Sequence, residues 1–349
     1  MKKTHRPHLS SFTLSLLLGF ILTLIAQSAL AATSAVIIMY HRFGEDDVPS
    51  TNITIEQFEA HITELTSGSY NVLPVTEIVE KLKSGQSLPD RTIGITMDDA
   101  YISIYTEAWP RLKAAGLPFT VFVSTAHVDS GSSQRLSWPQ IREMRSGGAD
   151  FGHHSVSHLH MANASVEQIT AEIISANQRF EDELGSKPKL FAYPYGETHL
   201  AGQELIKSNG FSAAFGQHSG VTDASSNFYY LPRFGLNEKF GGINRFRMLA
   251  NALSLPVRDM TPADPLIGAD NPPAIGFTIS EDLKMLGDPG KLSCFLNHEN
   301  QPANISFLGP RVEIRAKQPL PVGRTRLNCT MPTKQGRWRW FGHQFIRPE

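Results

Sequence analysis

From residue 35 to residue 215, short apolar runs alternate with amphipathic stretches of helical length, and few folds accommodate that order. Residues 35–39, 92–97, 119–123, 190–192 and 212–215 are rich in apolar side chains without a polar partner face, the pattern of buried strands. Between them, Thr54 with Gln57 and Ser165 with Gln168 fit capping boxes, in which side chain and backbone at a helix start satisfy each other. The first opens a face of Phe58, Ile62 and Leu65; the second opens a face of Ile169, Ile173 and Phe180 that ends at Gly185. Further helices are expected through Leu112 to Gly116, over 138–144, and up to Asn209-Gly210. Repeated strand–helix units of this length predict parallel strands joined by right-handed crossovers. Their number suits a barrel-like α/β domain better than an open sheet. In such barrels chemistry gathers at the C-terminal ends of the strands.

The pattern changes after Pro262. Pro265, Pro272 and Pro273 mark a linker, and short alternating segments such as 312–315 and 337–340 follow it. We expect a main domain over 32–265 and a small C-terminal β-sandwich over 272–349. In 337–340, alternation sets Trp338 and Trp340 on one strand face and Arg337 and Arg339 on the other, as a half-buried strand with a solvated outer face. The two cysteines of the chain, Cys294 and Cys329, both fall in this segment and are expected to be bridged in an oxidising compartment.

The N-terminus predicts such a compartment. Lys2, Lys3 and Arg6 precede an apolar run over 12–26, and Ala29 and Ala31 supply the small residues of a cleavage site. That is a secretory signal peptide over 1–31. No other long apolar run follows, so no stable membrane span is expected after cleavage, and the protein is expected in the periplasm or secreted. Residues 32–270 hold 18 basic and 27 acidic residues, while 271–349 hold eleven and six. An acidic body lacks the clustered basic face of a nucleic-acid-binding domain.

Four polar clusters sit where strands are expected to end. The strand over 92–97 runs into Asp98-Asp99. Adjacent carboxylates raise each other's pKa, and a bound cation removes that cost. One of the two can bind metal while its neighbour points at substrate. The second cluster runs from Gly152 to His158. His154 and His158 are four apart, so on a helical turn both imidazoles face one way. With one carboxylate they make a divalent-metal site with positions open to water and substrate; imidazole suits zinc, and also cobalt, nickel or iron. The third cluster, Tyr193-Pro194-Tyr195-Gly196-Glu197, is a turn able to offer a backbone N–H to a developing oxyanion. The fourth is His41, at the end of the first strand. Arg233, after another strand, is placed to hold a carboxylate by charge-assisted hydrogen bonds.

Together these clusters resemble the NodB-type polysaccharide deacetylases, carbohydrate esterase family 4, over about residues 34–240. The family's Thr-Phe-Asp-Asp-Gly appears as Thr96-Met97-Asp98-Asp99-Ala100. Its His-Ser/Thr-x-x-His is matched fully by His154-Ser155-Val156-Ser157-His158. Its Arg-x-Pro-Tyr-Gly appears as Ala192-Tyr193-Pro194-Tyr195-Gly196. The resemblance implies a distorted (β/α) barrel with fewer than eight strands. It implies Asp99, His154 and His158 as ligands of a divalent metal, zinc first among the candidates. Asp98 becomes the general base and Tyr195 the backbone oxyanion donor. Ala192 stands where the family has the arginine that orients the catalytic Asp, and Arg233 is the candidate replacement. The family's late Leu-x-His motif, source of its general acid, is not evident before the linker. The early Met39-Tyr40-His41 is similar to the subgroup of poly-N-acetylglucosamine deacetylases, in which a His near the N-terminus takes the acid role. His41 is therefore the implied general acid.

The function this implies is metal-dependent removal of acetyl groups from an N-acetylated polysaccharide. Two alternatives stay open at this point. One is an O-acetyl esterase or small-molecule amidase on the same fold. The other is a non-catalytic glycan-binding relative that meets an export or envelope protein through its C-terminal domain.

Overall fold

The computed structural model describes residues 1–2, 31–281 and 283–348; the apolar run of the expected signal peptide lies outside them. Six parallel strands form the body of a nine-stranded sheet. β1 (Ser34–Tyr40), β2 (Thr92–Asp98), β3 (Thr120–Val123), β4 (Asp150–His153), β5 (Leu190–Ala192) and β6 (Ala213–Phe215) lie side by side in chain order. At the far edge of β1, β7 (Phe234–Gly235) pairs in parallel with Ile38 and Met39. Leu231, just upstream of β7, bridges to Phe215 of β6. The segment 231–235 thus reaches from one sheet edge to the other and curls the sheet toward closure. This is the distorted (β/α) barrel expected.

Local sequence explains the elements. Both capping boxes form, opening the helices Ile55–Ser67 and Val166–Leu184. Gly116 and Gly185 end their helices in left-handed conformation, which glycine adopts without a Cβ penalty. β1 is apolar on both faces because both are buried: Val36 and Ile38 pack into one core cluster, Ala35 and Ile37 into another. Among the described residues, no helix is long and apolar enough to cross a membrane.

The C-terminal segment forms two four-stranded sheets. One orders Leu253–Ser254, Trp338–Arg347, Gly323–Pro332 and Ser293–Leu296; the other orders Val257–Thr261, Ile275–Ile279, Arg311–Arg315 and Asn304–Leu308. They share one core, with Phe277 and Ile314 from the second sheet against Leu327 and Phe345 from the first. This is the small β-sandwich expected, and the strands 253–254 and 257–261 join it from before the linker. Cys294 and Cys329 face each other in register and are bridged.

One local expectation is corrected. Arg337 and Arg339 are not a solvated face. Arg337 binds Asp90 at 2.9 Å and the Asn251 carbonyl, and Arg339 binds the carbonyls of Leu286 and Ser254. Trp338 is the exposed residue, while Trp340 packs edge-on against Phe234. Arg337 thus ties this strand to the barrel, while Arg339 is held within the sandwich.

Candidate metal centre and cleft

Asp98 ends β2, and the chain bends sharply at Asp99, the first residue after it. Asp99 and Ala100 have φ of 73° and 52°, in the left-handed region that non-glycine residues rarely enter. The bend divides the two carboxylates. Asp98 is fully buried, and both its oxygens accept from Arg233, Nη1 at 2.7 Å and Nη2 at 2.8 Å. Asp99 turns instead toward the histidines, its Oδ1 3.1 Å from His158 Nε2 and 3.5 Å from His154 Nε2.

Arg233 owes its position to the closing segment. Its backbone N–H donates to the His218 carbonyl, and its Nε donates to the Gly216 carbonyl at 3.0 Å. Nη1 also donates to the Thr96 hydroxyl. The guanidinium lies 5.3 Å from the Phe122 ring centre and 5.8 Å from that of Phe215. Phe122 in turn packs against Gly152, where a Cβ would sit 2.4 Å from its ring atoms. Burial alone would raise the Asp98 pKa, but Arg233, His154 and His41 outweigh it and hold the carboxyl below its ordinary value. The carboxylate is therefore ionised, oriented and out of water.

The two histidines converge, though not on a helical turn as the spacing suggested. Residues 154–158 form a loop, with Ser155 and His158 at φ of 64° and 62°. The loop is held from several sides. His153 Nδ1 accepts from the Ser155 N–H, and the Glu172 carboxylate accepts from the N–H groups of Val156 and Ser157. Ser124 donates to the His154 carbonyl. His154 Nδ1 donates to the carbonyl of Ala192 at 2.7 Å, which leaves Nε2 as the acceptor. The residue that replaces the family arginine thus fixes a histidine tautomer through its backbone.

The donor set fits a metal ion. Asp99, His154 and His158 offer ligand atoms that all lie within 4.8 Å of one another. Asp99 Oδ1 and His154 Nε2 are buried without a hydrogen-bond partner. Buried polar atoms seldom stay unpaired. Tetrahedral zinc with N and O ligands sets neighbouring ligand atoms about 3.4 Å apart, which matches the carboxylate-to-imidazole distances.

His41 lines the same cleft, with Nε2 3.9 Å from Asp98 Oδ2. Burial lowers its pKa, and the charges of Asp98 and Asp99 partly restore it. Tyr195 sits at φ 58° in the turn after β5, its ring edge-on to His158 and stacked on His160 at 3.9 Å. All seven residues singled out from the sequence therefore gather at one end of the barrel.

Sequence reasoning missed four supports of this centre: Ser124, His153, Glu172 and Arg135, which donates to the Asp99 carbonyl at 2.6 Å. It also missed a second wall. Asn297, Arg324, Arg326, Asn328 and Trp340 of the sandwich line the cleft opposite the metal ligands. Arg324, Arg326 and Asn328 are spaced by two along Gly323–Pro332, so they share one strand face. That polar stripe, opposite buried Leu327 and Cys329, was the available signal.

Residues 85–214 match the family model for polysaccharide deacetylase, the family that the motifs resemble. Among proteins of known role, it is 26% identical over 213 residues to the poly-beta-1,6-N-acetyl-D-glucosamine N-deacetylase of Staphylococcus aureus, covering 57% of this chain and 73% of that one. Among solved structures, the Streptococcus pyogenes deacetylase PplD superposes with a TM-score of 0.59 at 20% identity, over 63% of this chain and 99% of that one. IcaB from Ammonifex degensii does so at 0.57 and 23% identity, over 63% and 98%.

Proposed function

We propose that the protein removes acetyl groups from an N-acetylglucosamine-containing polysaccharide by metal-dependent hydrolysis, outside the cytoplasm. The observation that carries this reading is the divided carboxylate pair: Asp99 directed at two histidines, Asp98 pinned by Arg233 beside them. The bridged cysteines support the compartment.

Asp99, His154 and His158 hold the ion, with zinc the best match to two imidazoles and a carboxylate. When bound, the ion supplies Lewis-acid polarisation of the acetyl carbonyl and a water of lowered pKa. Asp98 accepts the proton of the attacking water. Arg233 keeps both Asp98 oxygens in register for that transfer. The Tyr195 N–H donates to the oxyanion. His41, 3.9 Å from Asp98, passes a proton to the departing sugar amine, so that acetate and a free amine leave.

The test is acetate release from soluble N-acetylglucosamine oligomers by the purified protein, first stripped of metal and then supplied with zinc or cobalt. Release that returns with metal is expected. Tight metal binding with no release would reject these oligomers as substrates. Release that persists without metal would reject the metal-dependent mechanism.

A further inference from the structure

The cleft carries a charge opposite to that of the body around it. Residues 32–270 hold 27 acidic and 18 basic residues. Yet the cleft is lined by four arginines, Arg135, Arg245, Arg324 and Arg326, and by a single carboxylate, Asp99, which is directed at the metal centre. Below the cleft floor, Asp98 is neutralised by Arg233.

The cations at the rim are poorly compensated. Arg324 has a carboxylate partner, Glu197, at 3.5 Å, and Glu197 is shared with His160. The other three have no carboxylate partner among the described residues. Arg135 donates to the Asp99 carbonyl, Arg245 to the Phe240 carbonyl, and Arg326 to the side-chain oxygen of Gln344. Burial pulls the pKa of Arg245 and Arg326 down, and the neighbouring Arg324 adds to this at Arg326. A guanidinium keeps its charge under such shifts, so the fold holds cations partly out of water without an anion. That arrangement costs stability unless a ligand supplies the charge. The donors come from both walls, Arg135 and Arg245 from the barrel and Arg324 and Arg326 from the sandwich. A chain lying in the cleft would meet them on both sides of the metal centre.

We propose that the natural substrate is an anionic glycan, an N-acetylated polysaccharide that carries carboxylate groups on sugars adjacent to the one deacetylated. This rests on the deacetylase reading of the metal centre and names its substrate class. Guanidinium groups pair with planar carboxylates through two parallel hydrogen bonds, which gives orientation as well as attraction. The sandwich is then a substrate-reading wall, and the barrel wall performs the chemistry.

Binding and turnover test this separately. Two oligosaccharides of equal length serve as probes: a neutral oligomer of N-acetylglucosamine, and an alternating oligomer of glucuronate and N-acetylglucosamine. Calorimetry on the metal-loaded protein at low salt is expected to show the anionic oligomer bound about tenfold more tightly, the worth of one charge-assisted contact. That advantage should fade in about 0.5 M salt. Arg326→Gln and Arg245→Gln should each shrink it, and Arg245→Gln carries the test if the more buried Arg326 proves necessary for folding. Equal binding of the two oligomers, or an advantage untouched by the substitutions, overturns the proposal. Acetate release from the neutral oligomer together with equal binding would remove this proposal and keep the deacetylase. Selective binding of the anionic oligomer with acetate released from neither would remove the catalytic reading, and with it the claim that the bound glycan is a substrate.

Discussion

On the barrel side of the cleft, Asp99, Ala100, Ser155, His158 and Tyr195 all hold left-handed backbones; among the described residues, only Arg91 and Asp259 join them as non-glycine examples. On the sandwich side, Arg324, Arg326 and Asn328 stand on an extended strand paired along its whole length on one edge and over 327–330 on the other. The first wall concentrates strain, each such residue costing on the order of 1 kcal/mol or more. Hydrogen bonds donated by Arg135 and Ser124 and accepted by His153 and Glu172 offset it. The second wall has no such strain and needs no such supports. The contrast teaches where each task falls. Positioning the proposed base and three proposed ligands within a few ångströms requires backbones that regular elements do not offer, whereas presenting a row of guanidinium groups requires only the pleat of a strand.

The largest expected effects lie on the strained wall. Asp98→Asn should lower kcat by about 10²–10⁴-fold while metal content stays unchanged. His154→Ala should lose the metal itself. Acetate release beside elemental analysis separates the two. On the sandwich wall, Asn328→Ala should alter KM more than kcat. A kcat loss there equal to that of Asp98→Asn would break the division of labour between the walls.

Ion pairs sharpen the same comparison. Arg233→Gln leaves the Asp98 carboxylate buried without its cation, and should cost about 3–5 kcal/mol in denaturant unfolding. Adding Asp98→Asn to it should recover part of that loss. Its counterpart across the cleft, Arg324 with Glu197, is 38% exposed at the arginine, and Arg324→Gln should cost less than about 1 kcal/mol. Similar losses at both sites would contradict the burial argument.

Each side also hides a neutral histidine. His61, behind β1, lies between the Tyr40 hydroxyl and the Gly241 carbonyl, and burial lowers its pKa to about 4. His343, on the sandwich face toward the barrel, is lowered by burial to about 4 as well. In the unfolded chain each titrates near 6.5. Between pH 6.5 and 4 the unfolded state binds the proton first, so stability is lost as pH falls through that window and is level above it. Each group accounts for roughly 3 kcal/mol of that loss. His61→Gln and His343→Phe should each flatten the melting temperature between pH 7.5 and 5. A slope unchanged by either would show that the fold leaves that histidine's pKa at its unfolded value.

The barrel wall was legible in the sequence because strained functional turns demand particular residues in particular order: Asp98-Asp99, His154 to His158, Pro194-Tyr195-Gly196. The barrel itself was legible because strands buried on both faces leave apolar runs such as 35–39. The convergence of His154 and His158 was read correctly, but its cause was not. A spacing of four fits a helical turn, and the left-handed Ser155 that replaces it has no signature in its side chain. The sandwich wall stayed hidden for a different reason. Alternation along 323–332 reveals a polar face, but what that face meets depends on how two separately folded layers dock. Arg337 was misread on the same ground. Arg233 lies between: its sequence neighbours say little, yet the absent arginine at Ala192 left Asp98 in need of a cation.

The smallest effect expected is also the most direct probe of strain. Ala100 is fully buried at φ 52°, and its carbonyl accepts from the Leu136 N–H at 2.8 Å. Ala100→Gly relieves about 1 kcal/mol of left-handed strain. It also frees the unfolded chain by about 0.4–1 kcal/mol, so net stability should stay within about 0.5 kcal/mol. The matching change in the unstrained wall, Asn328→Gly, has no strain to relieve and should cost about 0.5–1 kcal/mol. Metal affinity is the finer readout of the pair. Affinity unchanged in Ala100→Gly means that Arg135 and Leu136 fix the Asp99 turn through its carbonyls. A weaker metal site means that the Ala100 methyl group itself holds Asp99 toward the histidines, and that the strain is kept because it aims a ligand.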